Sequence, residues 1–475
     1  MPQTRKVYLL DARKLSPETI AVAFAKTSRS PSTFQEIANE LSDEKSADFN
    51  EKWVVGYGHS SVAEHAVLHV ALENVSRLAV ECIESNRLAS YTEKSSRYQI
   101  WDADHFYIPK ELANHPLEKE YIALNKRLFT NYQSAIDKVS KFLEMKQPRE
   151  EYESERAYAQ RLRTCCADVC RYYLPASALA NVGMTINARA LEHAISKLLS
   201  HPILEIQAIG HDIKSETQKI VPTLVKYADE NAYLKTSQDL YKSNEANTGL
   251  SIINQDNWFT CVQCDTDGEN RILAALLFRF GEMAFDQALS KLEGLSKKEK
   301  QELASNLLGK LGEHDIPLRE MEYASITFEI VIDQGAYFEL KRHRMMTQTP
   351  QPLTVELGYT VPLLLKEAGI SAAFSADMSD VVDFYKELSR FNPNIAAYIV
   401  PNAFNRRVLI QMNLRSAFHF IKLRSAPNAH FGIRRVALKI AEEIGLRYPI
   451  FADYFKGVGN ETWQSISSEY FNQLL

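Results

Sequence analysis

Apolar and polar residues alternate in two stretches of the chain, AVLHVALENV at residues 66–75 and ASITFEIVI at residues 324–332. Alternation with a period of two places successive side chains on opposite faces of a strand. Each stretch is therefore predicted to form a half-buried strand. A shorter apolar run comes before each of them, KVYLL at residues 6–10 and FTCVQC at residues 259–264, and predicts an initial strand.

Segments with helix-forming composition follow each alternating strand, SRLAVECIESN at residues 76–86 and AYFELKRH at residues 336–343. Farther on, SAFHFIKLR at residues 416–424 and GIRRVALKIAEEI at residues 432–444 predict long helices. Strands and helices are mixed but do not alternate strictly. The predicted fold class is therefore α+β.

The two halves of the chain repeat each other. The segment YYLPASALANVGMTINARALEHAISKL, which begins at Tyr172, aligns without a gap with YIVPNAFNRRVLIQMNLRSAFHFIKLR, which begins at Tyr398. The matched pairs are Pro175 with Pro401, Asn187 with Asn413, Arg189 with Arg415 and His193 with His419. Upstream, His59 answers His314 and Arg87 answers Arg344. Self-similarity of this kind predicts two tandem copies of one fold.

The repeat sets the predicted domain boundaries. We expect a first domain at residues 1–235, a linker at residues 236–257 that includes the polar stretch TSQDLYKSNEANTGLS, and a second domain at residues 258–475. The first half carries about 30 additional residues between its aligned blocks. The charged stretch at residues 146–163 is the predicted insertion, as an exposed helix.

Composition narrows the class of protein without naming a function. Of 475 residues, 45% are hydrophobic and 24% charged, and the formal net charge is −5. This charge argues against a general nucleic-acid coat, although a local basic pocket remains compatible with it. No apolar stretch approaches the roughly 18 residues of a membrane helix, and the first apolar run is too short for a signal peptide. We expect a cytoplasmic protein with neither a nucleic-acid nor a membrane partner.

The six cysteines do not suggest a disulfide framework. Cys261 and Cys264 form a CxxC pair, but a zinc site needs a second pair at matching spacing, which the chain lacks. Because Cys264 falls in a predicted strand, we interpret it as a buried structural thiol and predict no metal site.

The stretch RLASYTEKSSRY at residues 87–98 places Arg87, Glu93, Ser95 and Arg97 close together. A planar guanidinium fork fits phosphate in a bidentate way, and a serine adds a hydroxyl donor. The alternative is a solvated helix face with ordinary salt bridges. In the second half, KRHR at residues 341–344 would suit a pyrophosphate or form a basic surface patch.

Two further arginines, Arg171 and Arg424, stand beside apolar runs, where an arginine often extends its head to solvent. Nucleophile, zinc-protease, P-loop and dinucleotide-binding motifs are absent from the sequence. If the protein is an enzyme, a cofactor is expected to supply the difficult chemistry.

Taken together, these segments resemble the flavin-dependent thymidylate synthases. That family's signature is RHR followed after seven residues by serine, with an HxSPFEH-like stretch before it and ARxVLP and NxRSxxHFxxLR after it. HSSVAEH, CRYYLP and NARALEH in the first half, and RHR, YIVP and NLRSAFHFIKLR in the second, follow the family's order twice. The resemblance covers nearly the whole chain.

The resemblance implies a twisted antiparallel sheet with helices, in two fused copies. It implies a methyl-transferring enzyme that converts dUMP to dTMP for nucleotide biosynthesis. The implied ligands are FAD, dUMP and the folate cosubstrate methylene-tetrahydrofolate, with NADPH as reductant. Family members are homotetramers whose active sites combine residues from several subunits.

The resemblance also implies roles for individual residues. Catalysis is assigned to Arg171, Arg424 and Ser95. Substrate binding is assigned to Arg87, Glu93, Ser95, Arg97, Arg171 and Arg424. Flavin binding is assigned to Arg342, His343, Arg344, His59, His314, Asn187, Asn413, His193 and His419.

Each half departs from the family pattern where the other keeps it. In the first half RHR has become Ser85-Asn86-Arg87, and Leu198 stands where the second half has Arg424. In the second half the signature serine is Pro352, and Ala397 stands where the first half has Arg171. Neither half keeps the glutamine of an RQ pair, which is replaced by Cys82 and by Glu339.

Complementary losses lead to the hypothesis of a fused pseudo-dimer. Two chains would pair as a homodimer of tetramer-like shape, in which each live site draws on both halves. Two alternatives stay open: a diverged relative that modifies another pyrimidine nucleotide, and a non-catalytic protein that binds flavin or nucleotide. A third interpretation treats every motif as fold residues only.

Overall fold

The computed structural model describes residues 5–28, 30–56, 60–243 and 258–473. Two compact units result. The first comprises Met1–Lys94, Phe106–Glu118 and Ser177–Gly249, and the second comprises Ser95–His105, Lys119–Ala176 and Leu250–Leu475. The second unit thus takes in two segments from the first half of the sequence. The boundaries at residues 235 and 258 stay a prediction, since residues 244–257 lie outside the described ranges.

The first unit combines a three-stranded antiparallel sheet with helices. Its sheet order is β1-β3-β2, and both β1 and β2 pair antiparallel with β3. Short 3-10 turns at Ser60–His65 and Lys110–Leu112, and a π-helical turn at Glu51–Gly56, complete the unit. Its strands and helices are β1 (Val67–Ser76), β2 (Ala89–Glu93), β3 (Leu179–Asn187), α1 (Pro17–Thr27), α2 (Phe34–Glu40), α3 (Asp43–Asn50), α4 (Arg77–Ile83), α7 (Ala188–Leu199), α8 (Leu204–Gln218) and α9 (Ala232–Ser243).

The second unit holds a four-stranded antiparallel sheet in the order β4-β5-β8-β6, with β7 and β9 pairing separately. The strands are β4 (Phe259–Cys264), β5 (Ser325–Asp333), β6 (Thr347–Pro350), β7 (Val361–Pro362), β8 (Asn405–Asn413) and β9 (Phe471–Gln473). The helices are α5 (Glu118–Lys146), whose first residue belongs to the first unit, α6 (Glu155–Cys170), α10 (Gly268–Phe280), α11 (Phe285–Glu293), α12 (Lys297–Leu308), α13 (Gln334–Leu340), α14 (Leu363–Glu367), α15 (Ser371–Phe391), α16 (Pro393–Ala396), α17 (Leu414–Arg424), α18 (Phe431–Arg447) and α19 (Trp463–Tyr470).

The repeat in the sequence is also a repeat in the structure. In the first unit β1 pairs with β3 so that Val67 opposes Asn187, and in the second unit β5 pairs with β8 so that Ser325 opposes Asn413. The same order of strand, helix, paired strand and helix follows in both. The predictions of an antiparallel α+β fold, of the strands at residues 66–75 and 324–332, and of the later helices are confirmed.

Aligned positions of the two repeats meet each other inside the second unit. Pro175 and Pro401 form an isolated antiparallel bridge. The amide of Ala176 donates to the carbonyl of Val400 at 3.0 Å, and the amide of Asn402 donates to the carbonyl of Leu174 at 2.9 Å. In the alignment of the repeats Ala176 matches Asn402 and Leu174 matches Val400. Each of the two hydrogen bonds is therefore the counterpart of the other, as in an isologous contact. This segment therefore has local pseudo-twofold symmetry within one chain.

Two local predictions need correction. Residues 6–10 lie outside any strand, so the short apolar run there does not form the predicted initial strand, and Val7 and Leu9 are 91% and 93% exposed. The insertion at residues 146–163 is only partly helical, because the chain turns after α5 and α6 begins at Glu155. Ser154 caps α6 by accepting a hydrogen bond from the amide of Ala157, which fixes that start.

The core of the second unit places its functional side chains. Buried apolar residues of α10, β5, β8 and α18 form one cluster that includes Ile272, Phe328, Ile410 and Val436. Burial of each such side chain contributes about 1.5–3 kcal/mol. Helix α13 lies close to α18, since a Cβ on Gly432 would stand 3.1 Å from the Cβ of Ala336. The start of α13 is thereby held firmly.

Candidate functional site

A buried acidic cap begins the helix that carries the centre of the site. Strand β5 ends at Asp333, whose carboxylate accepts a hydrogen bond from the amide of Ala336 at 2.8 Å and caps α13. Burial raises the pKa of Asp333 to about 6, although the Ala336 amide and the Arg171 guanidinium pull it back in part. Asp333 therefore fixes α13 and places a titratable group beside Arg171.

Glu339, near the end of α13, lies between two arginines from different halves of the sequence. Its Oε1 is 3.8 Å from Nη1 of Arg171, and its Oε2 is 2.7 Å from Nη1 of Arg424. The three side chains are 5%, 4% and 13% exposed, respectively. Burial alone would raise the pKa of Glu339, but the guanidiniums of Arg171, Arg424, Arg97 and Arg342 outweigh it and lower that pKa. Glu339 is therefore ionised at neutral pH.

Arg171 is fixed from several directions. It lies in a 3-10 turn directly after α6, and its Nη2 donates to the carbonyl of Gly335 at 3.2 Å. Its own carbonyl accepts a hydrogen bond from the side-chain amide of Asn402 at 2.9 Å. Its buried Nε has no hydrogen-bond partner among the described residues. One donor of a fixed guanidinium is thus left for an acceptor from outside the described chain.

Arg424 links Glu339 to the predicted flavin motif. Its Nε donates to Nε2 of His343 at 2.8 Å, so His343 accepts with that nitrogen and carries its proton on Nδ1. Burial, followed by the charges of Arg424, His419, Arg342 and Arg344, lowers the pKa of His343 to about 3. His343 is therefore neutral at physiological pH.

Arg97 forms a bidentate ion pair with Asp168. The distances are 2.6 Å from Nε to Oδ1 and 2.8 Å from Nη2 to Oδ2. Nη1 of Arg97 donates to the carbonyl of Asn428 at 3.0 Å. The carbonyl of Asp168 lies 3.1 Å from Nε2 of the buried His430, whose Nδ1 accepts from the amide of Gly432. Arg97 and Asp168 thus connect the end of α6 with the start of α18.

The other residues predicted to bind substrate lie in less buried or separate surroundings. Ser95 is half-buried, and its hydroxyl accepts from the amide of Arg97 at 3.2 Å. Glu93 belongs to β2 of the first unit, where it forms an ion pair with Arg77 at 3.5 Å. Arg87 is exposed in the first unit. The structure therefore brings Arg97, Arg171 and Arg424 into one unit and places Glu93 and Arg87 in the other.

The predicted flavin-binding residues divide in the same way. Arg342 is exposed and Arg344 half-buried, on either side of the buried His343. His419 is exposed on α17, with its ring centroid 5.9 Å from that of His343. His314 is exposed in the turn before β5, His193 is exposed on α7, and His59 lies outside the described residues.

Asn187 and Asn413 have a structural explanation that holds in both repeats. Asn187 caps α7 by accepting from the amide of Ala190 at 2.9 Å, and Asn413 caps α17 by accepting from the amide of Ser416 at 2.8 Å. Capping alone accounts for an asparagine at this point of the motif, so their predicted contact with flavin stays a prediction.

Motif reading missed the acidic partners of the site. Asp168 and Asp333 carried no motif, and Glu339 was noticed only because it replaces a glutamine. The arginines that pair with these acidic residues lie far away in sequence, so no local sequence pattern predicts the acidic residues. The available signal was an arginine beside an apolar run in each half, since an arginine that becomes buried needs a carboxylate nearby.

The first unit holds a cavity of about 650 Å³ beside the HSSVAEH motif. Phe24, Phe49, Trp53 and His65 line it, and the rings of Phe24 and His65 are 4.9 Å apart. Glu64, also at its wall, forms an ion pair with Arg189 of α7. Its size and aromatic lining suit a heterocyclic ring.

Comparison with known families agrees with this arrangement. The sequence model of the family described as thymidylate synthase complementing protein matches residues 9–223 and, a second time, residues 261–450. The chain belongs to this family. Because the family matches twice in succession, the chain is a tandem duplication of the family's domain, as the repeat predicted.

Individual relatives fall into two groups. Over 435 residues the chain is 29% identical to the UPF0159 protein of Chlamydia muridarum, with 88% of the chain and 82% of the relative covered. Over 460 residues it is 28% identical to the UPF0159 protein Ta1429 of Thermoplasma acidophilum, covering 88% and 90%. It is 30% identical over 224 residues to the flavin-dependent thymidylate synthase of Clostridium tetani, covering 47% of the chain and 86% of the relative.

The two groups differ in how much of this family member they span. The UPF0159 proteins extend over both repeats, whereas the thymidylate synthase aligns with about one repeat. No helix in the described ranges is long and apolar enough to cross a membrane.

Proposed function

We propose that the protein is an FAD-dependent thymidylate synthase. It would convert dUMP to dTMP, with methylene-tetrahydrofolate as the one-carbon donor and NADPH as the reductant of the flavin. The single observation that carries the proposal is the position of Arg171 and Arg424. These two residues come from different halves, are each present in only one half, and share the carboxylate of Glu339.

The residues of the second unit fit an anionic cofactor. Arg342 and Arg344 supply cations that would pair with phosphate oxygens, and the neutral His343 lies between them in sequence. When bound, reduced FAD supplies the hydride. Because Nε2 of His343 already accepts from Arg424, the Nδ1 proton is the one that it can donate to a ligand. Arg342, His343 and Arg344 are the residues that we assign to the cofactor.

The arginines and a serine are assigned to the nucleotide. Ser95 and Arg97 would hold its phosphate, Ser95 through its hydroxyl and Arg97 through the guanidinium hydrogens that its bonds to Asp168 and Asn428 leave unused. Arg171 and Arg424 would stabilise negative charge that develops on the uracil ring, because fixed cations in a buried site need no rearrangement during reaction. The unused Nε of Arg171 supports this role.

The remaining predicted residues keep their roles as part of the proposal. Arg87 and Glu93 would contact substrate, and Asn187, His193 and His59 of the first half, with His314, Asn413 and His419 of the second, would contact the flavin. The cavity beside Glu64 and His65 is where we expect the HSSVAEH motif to act. We further propose a homodimer that resembles a tetramer, located in the cytoplasm.

Tritium release from C5-labelled dUMP, with methylene-tetrahydrofolate, NADPH and FAD present, tests the proposal. We expect release by the wild-type protein and loss of release in both Ser95→Ala and Arg344→Ala. The control is Arg390→Ala, which changes an exposed arginine of α15. A folded, flavin-loaded protein that releases no tritium would contradict the assignment as a thymidylate synthase.

A second candidate activity acts on another pyrimidine nucleotide. Its support is Glu339, an ionised carboxylate where the family pattern has a glutamine, because a carboxylate only accepts hydrogen bonds while an amide also donates. Turnover of dCMP or UMP in place of dUMP, in the same assay with the matching labelled nucleotide, would favour this candidate.

A further inference from the structure

The three arginines of the second unit that are assigned to the nucleotide already have carboxylate partners in the same chain. Arg97 pairs with Asp168, and Arg171 and Arg424 pair with Glu339. The Asp333 carboxyl group also lies beside Arg171. Three guanidiniums thus face three acidic groups in a largely buried cluster. An anion that enters this cluster meets far less positive charge than the number of arginines suggests.

Glu339 differs from Asp168 in how it holds its arginines. Asp168 binds Arg97 through two short, parallel hydrogen bonds, the geometry that fixes a pair most tightly. Glu339 reaches Arg424 with one short contact and Arg171 only at 3.8 Å, beyond hydrogen-bond distance. The Arg171–Glu339 contact is therefore the weaker one. Of the two carboxylates, Glu339 is the one that an incoming anion can displace.

Four arginine charges act on the carboxylate of Glu339. Its charge is favoured by Arg171, Arg424, Arg97 and Arg342 in that order. Glu339 thus lies among four positive charges, with 5% of its side chain exposed. A phosphate or a developing oxyanion would be drawn to the same region.

We propose that Glu339 is an internal occupant of the anion-binding pocket formed by Arg171 and Arg424, and that it lowers the affinity of that pocket for anionic ligands. The proposal rests on the proposed function only for the choice of dUMP, and of its uncharged counterpart deoxyuridine, as probes. Glu339 acts here as a specificity-determining residue: it admits ligands whose negative charge competes successfully for both guanidiniums. A purely structural tie would act in the opposite direction, since its removal would release the two arginines and weaken binding.

Isothermal titration of inorganic phosphate and of dUMP into Glu339→Gln tests the sign of the effect. The substitution keeps the shape of the side chain and removes its charge. We expect both probes to bind about tenfold to a hundredfold more tightly than to the wild type, the scale of one unit charge removed at short range. Deoxyuridine, which is uncharged, serves as a neutral probe. It should gain much less than dUMP, because the dUMP phosphate is assigned to Ser95 and Arg97, and the charge of Glu339 acts on Arg97 as well.

Two control variants separate charge from other causes. Glu339→Asp keeps the charge and should bring no comparable gain. Glu329→Gln removes a carboxylate of β5 that pairs with Arg407, outside this cluster, and should leave phosphate affinity unchanged. If Glu339→Gln does not fold, Glu339→Ala is measured in its place with the same expected sign.

Equal or weaker phosphate binding by Glu339→Gln would overturn the proposal. Failure of both Glu339→Gln and Glu339→Ala to fold would also overturn it, because either result makes the residue a structural tie. The proposed function can fail separately. Tighter phosphate binding by Glu339→Gln, without any tritium release from dUMP by the wild-type protein, would support the role of Glu339 and contradict the proposed synthase activity.

Discussion

Arg171 and Arg424 face opposite oxygens of one carboxylate. Nη1 of Arg171 lies 3.8 Å from Oε1 of Glu339, and Nη1 of Arg424 lies 2.7 Å from Oε2. Each arginine is missing from the aligned position of the other repeat, where Ala397 and Leu198 are buried. A buried arginine without a partner would be costly, whereas a small or apolar side chain is not. The loss in each repeat is thus compatible with folding.

Loss of either arginine is expected to lower turnover by about 100-fold, the scale reported for removal of one fixed electrostatic donor. Arg171→Gln and Arg424→Gln should both show this loss in kcat for tritium release, with a smaller change in KM. The matched control is Arg407→Gln, which breaks an ion pair with Glu329 on the sheet. If turnover fell equally in Arg407→Gln, the effect would reflect general damage to the fold.

Substitution of Arg97 by lysine should destabilise the second unit. Lysine cannot make the two parallel hydrogen bonds with Asp168 or keep the bond to Asn428, so we expect a loss of about 1–2 kcal/mol in the free energy of unfolding. Urea denaturation measures it. Arg390→Lys, on an exposed face of α15, is the control. An unchanged midpoint in Arg97→Lys would contradict a structural role for this ion pair.

The sequence predicted the parts of the fold that local pattern determines. The alternation at residues 66–75 and 324–332 corresponds to β1 and β5. Strand β1 has exposed positions along its length, as a half-buried strand does, whereas β5 is buried at seven of its nine positions and exposed at none. The short apolar run at residues 6–10 was wrong as a strand prediction, and Val7 and Leu9 are exposed there. Whether a short apolar run joins a sheet depends on whether an edge strand with unpaired backbone groups lies beside it, which local sequence does not encode.

The candidate site was predictable in its arginines, in Ser95 and in His343, but Asp168 and Asp333 were not predicted. Arg97, Arg171 and Arg424 were identified from the family motif, and the structure places them in one unit. Asp168 was missed because its partner Arg97 lies in a separate segment, and the ion pair exists only once α6 is folded against it. The assignment of Ser95–His105 and Lys119–Ala176 to the second unit likewise depends on long-range contacts.

Neutralisation of Asp333 should stabilise the protein above pH 6. Its pKa is about 6 in the folded protein against a usual 3.8, so the folded state binds more protons between these values and the unfolding free energy falls as pH rises through them. Asp333→Asn keeps a helix-capping side chain and removes this loss. We expect its melting temperature relative to wild type to rise between pH 4.5 and pH 7.5, by the equivalent of up to about 3 kcal/mol. A constant difference across that range would show that Asp333 does not titrate there.

The central claim is that the two halves of a single chain build one site. Arg171→Gln and Arg424→Gln chains, co-expressed with different tags and purified as the mixed assembly, test it by tritium release from dUMP. The shared Glu339 indicates that Arg171 and Arg424 act together within one chain. In that case every site of the mixed assembly lacks one of the two arginines, and activity stays at the level of the single variants. Recovery of activity in the mixed assembly would show instead that a live site pairs Arg171 of one chain with Arg424 of another, and would contradict the account.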